Sequence, residues 1–165
     1  MKKPRLLEDP DSDKAAYFLA LRWLSARELS EGQVRERLER RGYAPQAVGP
    51  AVERLMQNRT IDDRRTAAAA ARTEAKIRRR GPRRIMGRLI AMRIDRDLAR
   101  DVVNELFGET DEQELLEQTL DKRLRGLTAK LKDPDECRKL LGYLVRQGFS
   151  ASAASALIRK RSREK

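Results

Sequence analysis

Apolar residues recur along this chain at helical spacing, three and four positions apart, and the alternation expected of strands is nearly absent. Tyr17, Leu21 and Leu24, with Phe18 and Ala20 beside them, make a first stripe. Ser30 then offers an N-cap, with Gln33 completing a capping box. Val34 and Leu38 form the next stripe, and Gly42 ends it where a left-handed residue is needed. Tyr43 follows, Pro45 stands near a first helical position, and a third stripe runs Val48, Val52 (or Ala51), Leu55. Gly49-Pro50 lies inside that stripe and is expected to split or kink the helix.

The same order returns twice, at offsets of 51 and 55 residues. Leu38-Glu39-Arg40-Arg41-Gly42-Tyr43-Ala44 aligns with Leu89-Ile90-Ala91-Met92-Arg93-Ile94-Asp95 and with Leu144-Val145-Arg146-Gln147-Gly148-Phe149-Ser150. Val34, Ile85 and Leu140 correspond, as do Tyr43, Ile94 and Phe149, and Val52, Val103 and Ile158. Pro82 after Gly81, and Pro134 after Asp133, start the second helices of the later units. The pattern predicts an all-α fold, an elongated array of three tandem three-helix repeats whose stacked neighbours share a core. Residues 1–13 read as a flexible tail, 14–61, 62–108 and 109–165 as the repeats, and Arg159 onward as a frayed, basic end. Such an array exposes more surface per residue than a globule. That fits a chain in which Leu, Ile, Val and Phe make only 36 of 165 residues, close to the composition of disorder.

Composition removes several kinds of chemistry. There is no histidine and one cysteine, so catalysis by Ser-His-Asp or Cys-His groups, an intramolecular disulfide and a zinc finger are all excluded. No Gly-rich phosphate loop, calcium-loop spacing or convergent carboxylates occur, and no cofactor, metal or catalytic residue is expected. Asp62-Asp63, like Asp95, Asp97 and Asp101, reads as helix N-terminal capping charge. Cys137 reads as a small buried residue. No apolar run spans a membrane and no signal peptide opens the chain, so a cytoplasmic protein without a membrane partner is the default, most simply a monomer.

Charge narrows the reading further. The net charge is +12, and residues 64–107 hold 13 Lys/Arg against 5 Asp/Glu. Arg72, Lys76, Arg78, Arg79, Arg80, Arg83, Arg84 and Arg88 form the predicted binding patch. Arg72, Lys76 and Arg79 (or Arg80) have the spacing of one helix face. Arg83, Arg84 and Arg88 fall off the Ile85/Leu89/Met92 stripe and should face solvent. Arg96 and Arg100 extend the corner. A solvated face is the competing explanation, but the acidic residues that would neutralise this one are scarce. The seven aromatics, Tyr17, Phe18, Trp23, Tyr43, Phe107, Tyr143 and Phe149, lie mostly on or beside apolar stripes. Core packing suits them better than base stacking, with Trp23 partly exposed. Helices 31–41 and 45–58 imitate a helix-turn-helix, but Ala47, Val48, Ala51 and Val52 make the second largely core.

The segments Ala20-Leu21-Arg22-Trp23-Leu24-Ser25, Leu38 to Tyr43, Ile61-Asp62-Asp63-Arg64-Arg65, Arg80-Gly81-Pro82-Arg83-Arg84-Ile85 and Tyr143 to Ser150 together resemble the RecX family of bacterial recombination regulators. The resemblance covers about residues 14–161. It implies three tandem three-helix repeats, binding to the RecA recombinase filament in its helical groove, and inhibition of RecA strand exchange, ATP hydrolysis and co-protease activity. That places the protein in homologous recombination, DNA repair and the SOS response. Contact with single- or double-stranded DNA through phosphates is compatible with that family. The family commonly carries an aromatic residue near Asp62-Asp63. Here Thr66 stands instead, followed by Ala67 through Ala71, so the middle unit begins with a smaller-sided helix. That helix either permits close approach or leaves a looser joint. Two other classes stay open, a sequence-independent DNA-binding protein and a helical scaffold for an acidic protein.

Overall fold

The computed structural model describes residues 9–125, 131 and 133–163. Residues 1–8 of the predicted tail lie outside them. Among the described residues there are nine helices and no strand: α1 (Asp13–Ala26), α2 (Glu31–Arg41), α3 (Pro45–Gln57), α4 (Asp63–Lys76), α5 (Pro82–Ala91), α6 (Arg96–Glu109), α7 (Glu112–Arg125), α8 (Pro134–Arg146) and α9 (Ala151–Arg163). The starts of α3, α6 and α9 stand at the two offsets read from the sequence. All-α repeat architecture is therefore what the chain forms. Arg159–Arg163, expected to fray, continues α9.

The chain divides into two compact units. One holds α1–α3, the start of α4 to Ala67, and residues 90–95. In this unit α1 packs on α3 and both touch α2. Its core is Val34, Leu38, Val48, Val52 and Leu55, with Ala16, Ala20, Ala47 and Ala51 buried beside them. The inward face of α1 is thus the Ala16/Ala20 line, and the predicted Tyr17, Leu21 and Leu24 only flank it, partly buried. Small side chains win that position because they let two helices approach closely. Pro50 does not split α3, which runs through it unbroken. Proline disfavours the helical region for its predecessor partly through that residue's Cβ, and Gly49 has none.

Ser30 caps α2, accepting from the Gln33 N–H at 3.1 Å, while the Gln33 side chain accepts from the Ser30 N–H. The Ser30 hydroxyl also donates to the Met92 carbonyl. Asp62 caps its own helix at the Arg65 N–H (2.9 Å), but Asp63 reaches across to accept from the Glu31 N–H of α2 (2.8 Å). Ala44 gives no side-chain cap; its N–H donates to the Pro10 carbonyl (3.0 Å), which ties residues 9–12 to the start of α3.

The second unit holds residues 68–89 and 96–165. Here α8 packs on α9 and both touch α7, around Leu116, Leu120, Leu140, Leu144, Phe149 and Leu157. The Gly81 N–H donates to the Gln147 carbonyl (2.9 Å) and the Arg83 N–H to the Gly148 carbonyl (3.2 Å). Ser30 with Met92 and Gly81 with Gln147 are the same junction by the repeat offset, formed once in each unit. A left-handed residue stands beside each: Gly148 at φ 102° and Arg93 at φ 60°, aligned with Gly42 at φ 104°. Glycine takes that conformation freely, whereas Arg93 bears a cost of about 1–2 kcal/mol. The small-sided α4 is well packed, with Ala67, Ala71 and Ala75 all fully buried and Thr66 nearly so.

Candidate partner-binding surface

All eight predicted patch residues lie in the second unit, on α4, α5 and the turn between them. The shared face expected for Arg72, Lys76 and Arg79 does not form. Helix α4 ends at Lys76, the chain turns through Ile77 and Arg78, and Arg79 takes a left-handed conformation at φ 53°. Only Arg72 and Lys76 share a helix face.

Sequence reading missed the centre of this corner, Glu74. Its side chain is only 4% exposed and gathers three of the predicted cations. Arg78 Nη1 lies 2.9 Å from Oε1, Arg80 Nη1 2.6 Å from Oε2, and Arg88 Nε 4.0 Å from Oε1. A buried carboxylate needs charged partners, so the arrangement satisfies Glu74. Three guanidinium groups also outweigh one carboxylate, so the cluster keeps a positive excess, and Arg78 and Arg88 remain about half exposed. A signal was present in the sequence. Glu74 is the lone acidic residue among these cations and stands four before Arg78.

The other cations divide by role. Arg84 Nη1 donates to the Arg146 carbonyl (2.7 Å), covering the C-terminal end of α8. Arg79 is half-buried, and its carbonyl lies 3.1 Å from the Thr119 hydroxyl, whose single proton it shares with the nearer Leu115 carbonyl (2.7 Å). Arg72, Lys76 and Arg83 are exposed and form no ion pair among the described residues. Arg83 and Arg100 line a shallow groove of about 350 Å³ between α5 and α6, together with Pro82, Met86, Val103 and Asn104. Arg100 is matched by Asp97 (2.9 Å) and Asp101 (4.0 Å) on its own helix.

Expectations elsewhere meet mixed outcomes. Tyr43 and Phe149 are buried, and Tyr17, Trp23, Phe107 and Tyr143 are half-buried. Phe18 is instead 54% exposed. Arg37 lies over the Trp23 ring (5.9 Å) and Arg123 over Tyr143 (5.1 Å), so these rings meet cations of the fold. Cys137 is half-buried, not buried, with its thiol 3.0 Å from the Leu131 carbonyl. Among the described residues there is no cluster of metal-ligating side chains, and no helix is long and apolar enough to cross a membrane.

Comparison with known proteins adds a family to this geometry. The family models described as "RecX, first three-helix domain" and "RecX, third three-helix domain" match residues 16–55 and 109–158. "Regulatory protein RecX" of Syntrophotalea carbinolica is 34% identical over 138 residues, 83% of this chain and 90% of that protein. The chain belongs to the RecX family. A Thermotoga maritima protein of the same name is 30% identical over 141 residues, covering 86% of this chain and 81% of its own length. The crystal structure of RecX from Lactobacillus salivarius shares the fold, with a TM-score of 0.76 at 21% identity over 96% of this chain and 100% of that one. The Glu74 cluster and the Arg83 groove lie between the two segments that these family models match.

Proposed function

We propose that this RecX-family protein regulates the RecA recombinase by binding its filament. It lowers strand exchange, ATP hydrolysis and co-protease activity by occupying surface, in the cytoplasm and without a reaction of its own. Membership of the family, on 34% identity across most of both chains, is the observation that carries this reading. The repeat over residues 62–108 supplies the contact. Arg72, Lys76 and Arg83 meet the partner directly, with Arg78 and Arg88 held beside them by Glu74. Arg80 and Arg84 are engaged by Glu74 and by the Arg146 carbonyl, and with the half-buried Arg79 they shape the corner.

Titrating the protein into RecA hydrolysing ATP on single-stranded DNA tests this at two salt concentrations. Inhibition at fewer molecules than would coat the DNA is expected, weakening as salt rises. Replacing Arg72, Lys76 and Arg83 together by alanine should raise the concentration for half-inhibition about tenfold, the scale of losing a few phosphate- or carboxylate-type contacts. An unchanged titration from a folded variant would remove the patch assignment. The three unpaired cations also favour a second reading, a sequence-independent DNA binder. That protein would inhibit only when it roughly coats the DNA.

A further inference from the structure

The basic corner carries two apolar features that a phosphate backbone has no use for. Ile77, between Lys76 and Arg78, is 71% exposed, above Phe18, Met56, Ile90 and Val145 among exposed large apolar residues. A single exposed apolar side chain is ordinary on a protein surface. The setting of this one is not. Its turn is pinned at successive positions: the Ile77 and Arg78 N–H groups donate to the Thr73 carbonyl (3.1 and 3.3 Å), and the Arg80 N–H to the Glu74 carbonyl (3.0 Å). The Arg79 N–H donates to the Ala75 carbonyl (3.0 Å), and Glu74 clamps Arg78 and Arg80. An isoleucine on so fixed a turn is presented at little entropic cost to whatever covers it. The second feature is the α5–α6 groove, whose apolar Pro82, Met86 and Val103 lie beside the unpaired Arg83.

We infer that this corner is built to dock on a protein surface that is acidic and carries apolar side chains, and not on nucleic acid. Ile77 is the knob that enters such a surface, and the α5–α6 groove receives a partner side chain lying next to a carboxylate that pairs with Arg83. Charge complementarity sets the sign of the partner, and the apolar features set its class. The inference rests on the RecA reading and assigns the partner's chemistry at that same surface.

Two exposed substitutions test it without opening the core: Ile77→Ser removes the knob, and Asn104→Trp fills the groove at constant charge. Each variant is assayed for inhibition of RecA ATP hydrolysis on single-stranded DNA, and for binding to the same DNA alone by fluorescence anisotropy, with circular dichroism confirming the fold. Expected is a rise of about tenfold in the half-inhibitory concentration, the scale of burying one aliphatic side chain, with DNA affinity within about twofold of the parent. Unchanged inhibition by both variants overturns the inference while leaving the RecA reading intact. A parallel fall in DNA affinity overturns it in favour of nucleic acid. If the parent protein itself fails to inhibit RecA, the RecA reading falls and takes this one with it.

Discussion

Single positions decide how the repeats join. Gly81 lies where any Cβ would sit 2.7 Å from the backbone carbon and oxygen of Gly148 and 2.8 Å from the Phe149 nitrogen. No flexible side chain is available there to yield, so Gly81→Ala must displace main chain. A loss of about 2–3 kcal/mol is expected in chemical denaturation, at the upper end of overpacking costs. Gly148→Ala should cost as much, since it combines a left-handed φ with contact to the Arg84 backbone. Gly49→Ala makes a control of the opposite kind, because its Cβ would meet nothing within 4 Å. It should nevertheless bend α3, by restoring the clash with Pro50 that glycine avoids. The sequence showed Gly81 and Gly148 as helix-boundary markers and Gly49 inside an apolar stripe. It did not show that Gly81 faces Gly148, because that contact spans two repeats and follows from how they stack.

At the scale of elements, each repeat solves the same contact between its first two helices differently. Trp23 with Arg37, Glu74 with Arg88 and Arg123 with Tyr143 stand at nearly equivalent levels. The middle repeat uses charge where the outer ones use a ring and a cation. Glu74→Gln keeps the shape, removes the carboxylate charge and leaves three guanidinium groups facing one another. It should lose about 1–3 kcal/mol, the cost of disrupting a buried charged hydrogen-bond centre, and added salt should recover part of the loss. Asp63, which joins the start of α4 to the start of α2, gives a pH test. Burial raises its pKa above the usual aspartate value; the Glu31 N–H opposes this, and the nearby charges of Glu31 and Asp62 add to it. A raised folded-state pKa means the folded protein holds that proton more tightly than the unfolded chain. The favourable contribution is then full at low pH and lost as pH rises through the folded value. Asp63→Asn keeps an acceptor for Glu31 and removes the ionisation. It should be more stable than the parent at neutral pH, and the difference should vanish below about pH 4, read from denaturant midpoints across pH. Helices, caps and repeat offsets were legible in the sequence because their signals are local. The reach of Asp63 to Glu31 and of Ser30 to Met92 was not, since those partners are distant in sequence and meet only through stacking. The α1 stripe was misjudged because alanine ranks low as a hydrophobe yet wins wherever two helices cross closely.

For the whole molecule, the net charge of +12 acts with opposite signs on stability and on binding. Within the chain most charge is repulsive, and the ion pairs that oppose it are largely between exposed partners, where each contributes little. Screening should therefore remove more repulsion than attraction, so the fold gains stability as salt rises from low to physiological strength. Contact with an acidic partner runs the other way, since the same screening weakens an attraction. Raising salt from about 50 to 300 mM should thus raise the thermal midpoint while weakening RecA inhibition. If both fell together, lost inhibition at high salt would report unfolding and not a weakened interface. If inhibition held constant while the midpoint rose, the contact would be dominated by its apolar part. Ile77 and the α5–α6 groove would then outweigh Arg72, Lys76 and Arg83. Measuring Ile77→Ser and the triple alanine variant in the same salt series separates the two contributions. The triple variant should flatten the salt dependence, and Ile77→Ser should shift the whole curve without changing its slope.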